Sequence, residues 1–410
     1  MNNSDTVKKR IIFVDDDIDI LHGLKRMLRN KRNEWKMAFA KSGQEALDIL
    51  RKEKYEVIVS DMMMPGMDGA QLLTQVMGNW PGMVRIVLSG HSKQDMIYKS
   101  LSAAHQYLSK PCDQKILLST LEKAFYLRSF LANESLQQVV GRLASLPSLP
   151  ALIIDLTNEL KSPNSSLSKV EYIISKDACM TAKILQLVNS PFFGIYPQIT
   201  NLSQAVTLLG IDKIRALVTS VPVFSELKQK KIGQITIEDQ WNHSSAVSIV
   251  CREIVNMELD NPKLNDSAFI LGILHDIGKV VLLSNFPEKY QMAIALAEKK
   301  KMSLTEAERE IFEATHAEVG GYLLGLWGLP DSIIEGVFYH HCPSKSAERE
   351  FGLITAVHVA NSLVAEEIPA YKTGELSPID YSHIEKIGKT DRISVWKKKC
   401  HTISNWFGGL

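Results

Sequence analysis

KRIIFVDDD, residues 9–17, sets a short run of β-branched and aromatic side chains directly against three acids. An apolar run of this length that stops in carboxylates reads as a buried strand whose carboxyl end faces a polar site. The first third of the chain repeats the pattern. Ile18–Leu28 follows with helical spacing at Ile20, Leu21, Leu24 and Leu28, and Trp35–Ala40 and Gly43–Lys52 supply a second strand and a second helix. Tyr55–Ser60 (YEVIVS) ends at Asp61, Val84–Ser89 (VRIVLS) at Gly90, and Gln106–Ser109 at Lys110 and Pro111. Short β-branched strands alternating with helices of about ten residues predict βα units on a parallel sheet across residues 9–126.

Asp113 to Val140 contains neither glycine nor proline, and Leu117, Leu121, Ala124 and Leu131 keep a helical period. Two readings stand: one helix running out of the first domain through a helical linker at 127–142, or a terminal helix followed by a frayed tether. The prolines of GRLASLPSLP (Gly141–Pro150) mark a boundary. Beyond it the texture changes to helical periodicity, as at Leu208, Ile211, Ile214, Leu217 and Val221, which predicts an all-α region over 151–366. The stretch after Pro369 is polar and mixed, with a late aromatic cluster of Trp396, Trp406 and Phe407.

The 410 residues correspond to two or three domains at roughly 150 residues each. Lys and Arg number 47 against 46 Asp and Glu, a net charge of +1, which argues against neutralising a phosphate backbone as the main task. No apolar run is expected to reach the roughly 18 residues of a membrane span. The N-terminal MNNSDTVKKR lacks a signal-peptide core. Cys112, Cys179, Cys251, Cys342 and Cys400 are dispersed, which fits reduced thiols and a cytoplasmic location.

Chemistry in an open parallel sheet collects at the carboxyl ends of its strands. Asp15, Asp16 and Asp61 stand there, with Ser89 and Lys110 closing two further strands. Three carboxylates on one rim repel each other unless a hard cation such as Mg2+ bridges them, and a hydroxyl with an ammonium suits a transferred phosphoryl group. Asp17 makes the acid run three long and leaves a one-residue ambiguity in the metal pair; the strand ends at Val14, which favours Asp15 and Asp16.

With DMMMPGMDG (Asp61–Gly69), SG (Ser89–Gly90) and KP (Lys110–Pro111), these residues resemble the receiver domain of two-component response regulators over about residues 9–126. The resemblance implies a flavodoxin-like α/β fold with a five-stranded parallel sheet. It makes Asp61 the phosphoacceptor, fed by a cognate histidine kinase or phosphotransfer protein. Mg2+ would be held by Asp15, Asp16, Asp61 and the main-chain carbonyl of Met63. Ser89 and Lys110 would contact the phosphoryl oxygens, and Tyr107 would be the aromatic switch.

The helical region carries the histidines. His275 and Asp276 are adjacent in LGILHDIGKVVLL, read as one apolar helix, with Lys279 one turn beyond. His316 follows Thr315 at a helix start, with Glu318 spaced for a capping box; His340 and His341 close the next helix, and His243 opens another in WNHSS. Imidazoles beside a carboxylate suit Mn, Fe or Zn and could activate water against a phosphoester. The arrangement resembles the HD superfamily of metal-dependent phosphohydrolases, and more fully the all-α, HD-like HDOD output domain of bacterial signalling proteins. That match rests on LPSLP (Leu146–Pro150), Ile174–Gly194, Ala205–Val218, LGILHDIGK (Leu271–Lys279), His316–Leu324, WGLP (Trp327–Pro330) and His340–His341. It places an HDOD domain at 143–345 and leaves 346–410 as an unassigned helical extension.

The resemblance implies an output module with a protein partner and a receiver that could form homodimers. Three readings of the candidate metal set His243, His275, Asp276, His316 and His340 stay side by side: a vestigial pocket, a metal site, and a metal site that hydrolyses a phosphoester. The aspartate expected on the next helix is Asn361, a weaker ligand, for which His358 could compensate. CPSKS follows the paired histidines where cyclic-di-GMP phosphodiesterases carry a glycine-tyrosine-proline signature, which disfavours that activity. The basic runs Lys299–Lys301 and Lys397–Lys399 lack interleaved aromatics, so they read as solvated faces and not nucleic-acid patches. Nothing in the sequence points to membrane binding.

Overall fold

A computed structural model describes residues 8–90, 103–131, 133–143, 146–148, 150–162, 164–189, 198–220, 224–226, 231–232, 235–368 and 377–407. The chain divides into two compact units, one built on Met1–Ala144 and one on most of the remainder.

The first unit runs β1 (Lys9–Val14), α1 (Ile18–Met27), β2 (Trp35–Ala40), α2 (Gly43–Lys52), β3 (Val57–Ser60), α3 (Gly69–Asn79), β4 (Val84–Ser89), β5 (Gln106–Ser109), α4 (Gln114–Phe130) and α5 (Glu134–Arg142). The five strands form one sheet in the order β2-β1-β3-β4-β5, every neighbour parallel. Ile11, Ile12, Phe13, Val57 and Ile58 are fully buried, which is why these strands read as continuous apolar runs. Val14 pairs with Ser60, so β1 and β3 end level, while Ser60 pairs with Val87, two residues before the end of β4; the residues that follow the strands share one rim. The helices start where the sequence offers caps: Asp17 for α1, Ser42 for α2, an Asp68–Gln71 capping box for α3 and Asp113 for α4.

Two expectations need correcting. The third strand begins at Val57 and not Tyr55. The Asp113–Val140 segment is two helices, because α4 ends at Phe130 and Asn133 caps α5 by accepting from Leu136 N at 3.1 Å. Neither reading of the linker holds as stated: α5 folds back on the first unit, and a Cβ on Gly141 would lie 1.9 Å from the Pro81 carbonyl oxygen.

The second unit is mostly helical. Its core is built around the helix Ile237–Glu258, which packs against Pro262–Leu274 and Leu353–Glu367. The first crossing is close because Gly272 sits where a Cβ would meet Ser248 Cα at 2.3 Å. The region is not purely α. Leu146–Ser148 pairs in parallel with Phe224–Glu226, and Lys231–Ile232 pairs antiparallel with Ile235–Thr236. The apolar stretch around His275 is also two helices, Pro262–Leu274 and Ile277–Asn285, with His275 and Asp276 at the joint. By length and composition this stretch could cross a membrane, contrary to the expectation of no such run, but most of it is buried inside the unit.

Residues 377–407 belong to the same unit. Trp396, Cys400 and Ile403 of the helix Ile393–Phe407 are buried. Glu258 accepts from Lys389 Nζ at 2.8 Å, Arg392 Nε at 2.6 Å and Trp396 Nε1 at 3.0 Å. Trp406 and Phe407, named with Trp396 from the sequence, have side chains outside the described residues.

Candidate functional site

At the carboxyl rim of the first unit, Asp15, Asp16 and Asp61 bring carboxylate oxygens within 4.8 Å of one another. Asp15 and Asp61 are buried and Asp16 is exposed. Lys110 Nζ donates to Asp15 Oδ2 at 2.7 Å and also to Asp61 Oδ1. Burial raises the Asp15 carboxyl above its ordinary range, against the hydrogen bond from Lys110. Burial works the opposite way on Lys110, yet its hydrogen bonds to Asp15 and Asp61 outweigh it and hold the ammonium protonated above its usual range.

Asp61 Oδ2 accepts from Met63 N at 2.8 Å, and α3 reaches the Asp61 backbone because Gly69 has no Cβ, which would lie 2.1 Å from the Asp61 carbonyl oxygen. Tyr107 is buried in β5. Ser89 ends β4, and its side chain lies outside the described residues. Chemically the rim offers a nucleophilic carboxylate, two neighbouring carboxylates for a hard cation and one ammonium.

The second unit gathers His243, His275, Asp276, His316 and His340 in one buried pocket, at most 1% exposed, although they come from four separate stretches. His341 joins them. One group, Asp276, His316, His340 and His341, and another, His243, His275 and Asp276, each place ligand atoms within 4.8 Å, with Asp276 common to both.

Backbone and carboxylate partners orient the rings. His275 Nδ1 donates to the Gly272 carbonyl at 2.8 Å, and His340 Nδ1 to the Val337 carbonyl at 2.7 Å, which leaves both Nε2 atoms facing inward without a hydrogen-bond partner. His316 Nδ1 lies 2.7 Å from Glu308 Oε2, and the capping box expected at Thr315 and Glu318 forms in front of that helix. A carboxylate behind a ligating imidazole is the usual outer shell of a metal site. These residues fit a borderline transition cation: buried imidazole nitrogens with fixed orientation converge on a carboxylate oxygen.

The charges respond to the burial. Asp276 is desolvated, but the positive charges beside it, Lys279 among them, outweigh this and hold its carboxyl well below the usual range. Burial pushes His243 down to about 3 and His340 down to about 4. Burial also disfavours the charged form of His316, but Glu308 and Asp276 beside it win and hold it up at about 10.

One expectation fails. His358 does not compensate for Asn361: its Nδ1 meets the His340 carbonyl at 2.7 Å, and its Nε2 accepts from Asp380 N at 2.8 Å. Asn361 Oδ1 is instead hydrogen-bonded to His243 Nε2 at 2.9 Å. Sequence reasoning also missed Glu308, Gln240 and Ser377. Glu308 left a signal, a carboxylate on the apolar stripe Leu304, Ala307, Glu308 and Phe312 of an amphipathic helix. Gln240 and Ser377 left none.

Comparison with known proteins agrees with this division. The model for the response regulator receiver domain matches residues 11–122, and that for the HDOD domain matches 146–343. A curated uncharacterized protein of Treponema pallidum is 28% identical over 238 residues, 55% of this chain and 43% of the relative. The transcriptional regulatory protein GlrR of Escherichia coli is 33% identical over 115 residues, 28% of this chain and 26% of that protein. The chain thus spans less than half the length of these curated relatives. Among solved structures, the MmoQ response regulator of Methylococcus capsulatus is similar at 22% identity and a TM-score of 0.48, covering 62% of this chain and 98% of that one.

Proposed function

Because the chain is a response regulator with a receiver domain followed by an HDOD domain, we propose that Asp61 accepts a phosphoryl group from a histidine kinase or phosphotransfer protein in the cytoplasm. The observation that supports this is the convergence of Asp15, Asp16 and Asp61 under the ammonium of Lys110. In the transfer, Asp61 attacks phosphorus, a P–O bond forms as the donor's P–N bond breaks, and the electron pair leaves with the donor imidazole. Bound Mg2+ would neutralise charge on the phosphoryl oxygens, with Asp15, Asp16, Asp61 and the Met63 carbonyl as its protein ligands. Lys110 would then pair with a phosphoryl oxygen and leave Asp15 and Asp61.

Phosphorylation shifts a two-state receiver, and the HDOD domain answers as a protein-interaction module, with receiver homodimers as a further consequence. Acetyl phosphate with Mg2+ should add one phosphoryl mass to the wild type and none to Asp61→Ala. Beryllofluoride should change the oligomeric state or protease sensitivity of the wild type alone; an identical response in Asp61→Ala overturns the reading.

A second reading concerns the histidine pocket. The inward, unpartnered Nε2 atoms of His275 and His340 favour a bound Mn, Fe or Zn ion, which could supply an activated water against a phosphoester. Protein that takes up none of these metals, or that binds metal yet hydrolyses no phosphoester, excludes the hydrolase.

A further inference from the structure

The pocket has two halves that share Asp276, and the surrounding side chains treat them differently. On one side lies Asp276 Oδ2. It already accepts from Gln240 Nε2 at 2.6 Å and from Lys279 Nζ at 2.8 Å. His243, which faces the same oxygen from 3.9 Å, has its Nε2 tied to Asn361 Oδ1. That leaves His275 Nε2, 3.3 Å from Oδ2, as the available ligand in this half. A single imidazole beside an ammonium does not hold a dication, since the cation would have to expel Lys279 and break the His243–Asn361 hydrogen bond.

On the other side lies Asp276 Oδ1, fully buried and without a hydrogen-bond partner. It is 3.2 Å from His316 Nε2 and 3.6 Å from His340 Nε2, and His316 Nε2 is 3.0 Å from His341 Nε2. Each of these three rings has its Nδ1 engaged from behind: His316 by Glu308, His340 by the Val337 carbonyl and His341 by Ser377 Oγ at 3.1 Å. Their Nε2 atoms therefore converge on one point with Oδ1. Four ligands at about 2.0–2.1 Å around a tetrahedral ion stand about 3.3 Å apart, in the middle of these separations.

We propose that the HDOD pocket is a mononuclear site, taking one divalent first-row transition cation on Asp276 Oδ1, His316, His340 and His341, while Gln240, Lys279 and Asn361 close the half that contains His243 and His275. The proposal rests on the metal reading of this pocket and goes beyond it by assigning the number of ions and the half that holds them. It also makes His341 a ligand and His243 a structural residue.

The test is metal content and spectroscopy on the full-length chain. Apoprotein is loaded with Co2+ or Zn2+ in excess Mg2+, which keeps these ions off the Asp15, Asp16 and Asp61 rim, freed of excess metal, and analysed for Co2+ or Zn2+ per chain and for the visible absorption of four-coordinate Co2+. Wild type should retain one equivalent with the four-coordinate band. His243→Ala should keep both, and His340→Ala and His341→Ala should each lose the band and bind at least tenfold more weakly. Circular dichroism checks that the variants fold, and the wild-type stoichiometry and His243→Ala remain decisive where one does not. Two equivalents in wild type, or one equivalent lost in His243→Ala and kept in His340→Ala, overturns the assigned half and leaves the metal reading standing. No retained metal in folded wild type overturns both.

Discussion

Arg85, buried in β4, donates through Nη2 to the carbonyl of Gly141 at 2.6 Å. The linker helix α5 is thereby held to the sheet of the receiver by a charged group on a central strand. The same guanidinium donates to the Pro81 and Met83 carbonyls at 3.3 and 3.2 Å and to that of Ala103, and it lies against His105 Nε2 at 2.9 Å. A buried guanidinium is tolerable when its donors meet acceptors in this way. It places the starts of β4 and β5 and the linker in one hydrogen-bonded network.

Gly141→Ala should lift α5 from the receiver. The added methyl would sit 1.9 Å from the Pro81 carbonyl oxygen, and both atoms belong to packed backbone. A loss of roughly 1–3 kcal/mol in docking is expected. Hydrogen exchange should quicken in Glu134–Arg142 while the amides of β1 and β3 keep their protection; unchanged exchange in α5 would contradict the account.

Lys110→Met removes the ammonium that two buried carboxylates share. Asp15 and Asp61 then face each other uncompensated, and a loss of about 3 kcal/mol at neutral pH is expected. Mg2+ should restore more stability to this variant than to wild type, because only the variant lacks a resident cation. Thermal melts with and without Mg2+ measure the difference.

The histidine pocket makes metal-free stability depend on pH from both sides. His243 and His340 have folded values of about 3 and about 4, below the ordinary 6.5. The unfolded chain therefore takes up protons that the folded pocket refuses, and stability falls as pH drops below about 6.5. His316 has the opposite sign: the folded pocket keeps its proton up to about pH 10, so stability falls as pH rises above 6.5. Urea midpoints measured with a chelator present should show a pocket contribution greatest near pH 6.5. His340→Gln should flatten the acid limb and His316→Gln the alkaline one.

Glu258→Gln should loosen the C-terminal segment and leave the rest of the second unit in place. Burial opposes the Glu258 charge, but hydrogen bonds from Lys389, Arg392 and Trp396 outweigh it and keep the carboxyl below its usual range. Neutralising it weakens three charge-assisted bonds, worth roughly 1–3 kcal/mol in total. Faster exchange across Ile393–Phe407 is the expected readout.

The strands of the receiver and the positions of Asp15, Asp16, Asp61 and Lys110 were legible in the sequence because both are local properties. A strand's periodicity is set within six residues, and the residue after its last apolar position must emerge at the sheet's rim. The ordered HDOD motifs were legible for the same reason, as runs of adjacent residues. What tertiary structure alone decided is the direction of polar atoms. The sequence placed His358 and Asn361 on one helix face, but the Asp380 amide and the His340 carbonyl turned His358 away and left Asn361 against His243. Which oxygen of Asp276 is free depends on Gln240 and Lys279, thirty-six residues before it and three after. A buried imidazole or carboxylate must satisfy every polar atom it carries, so its orientation follows from all its partners at once, and those come together only when the chain has folded.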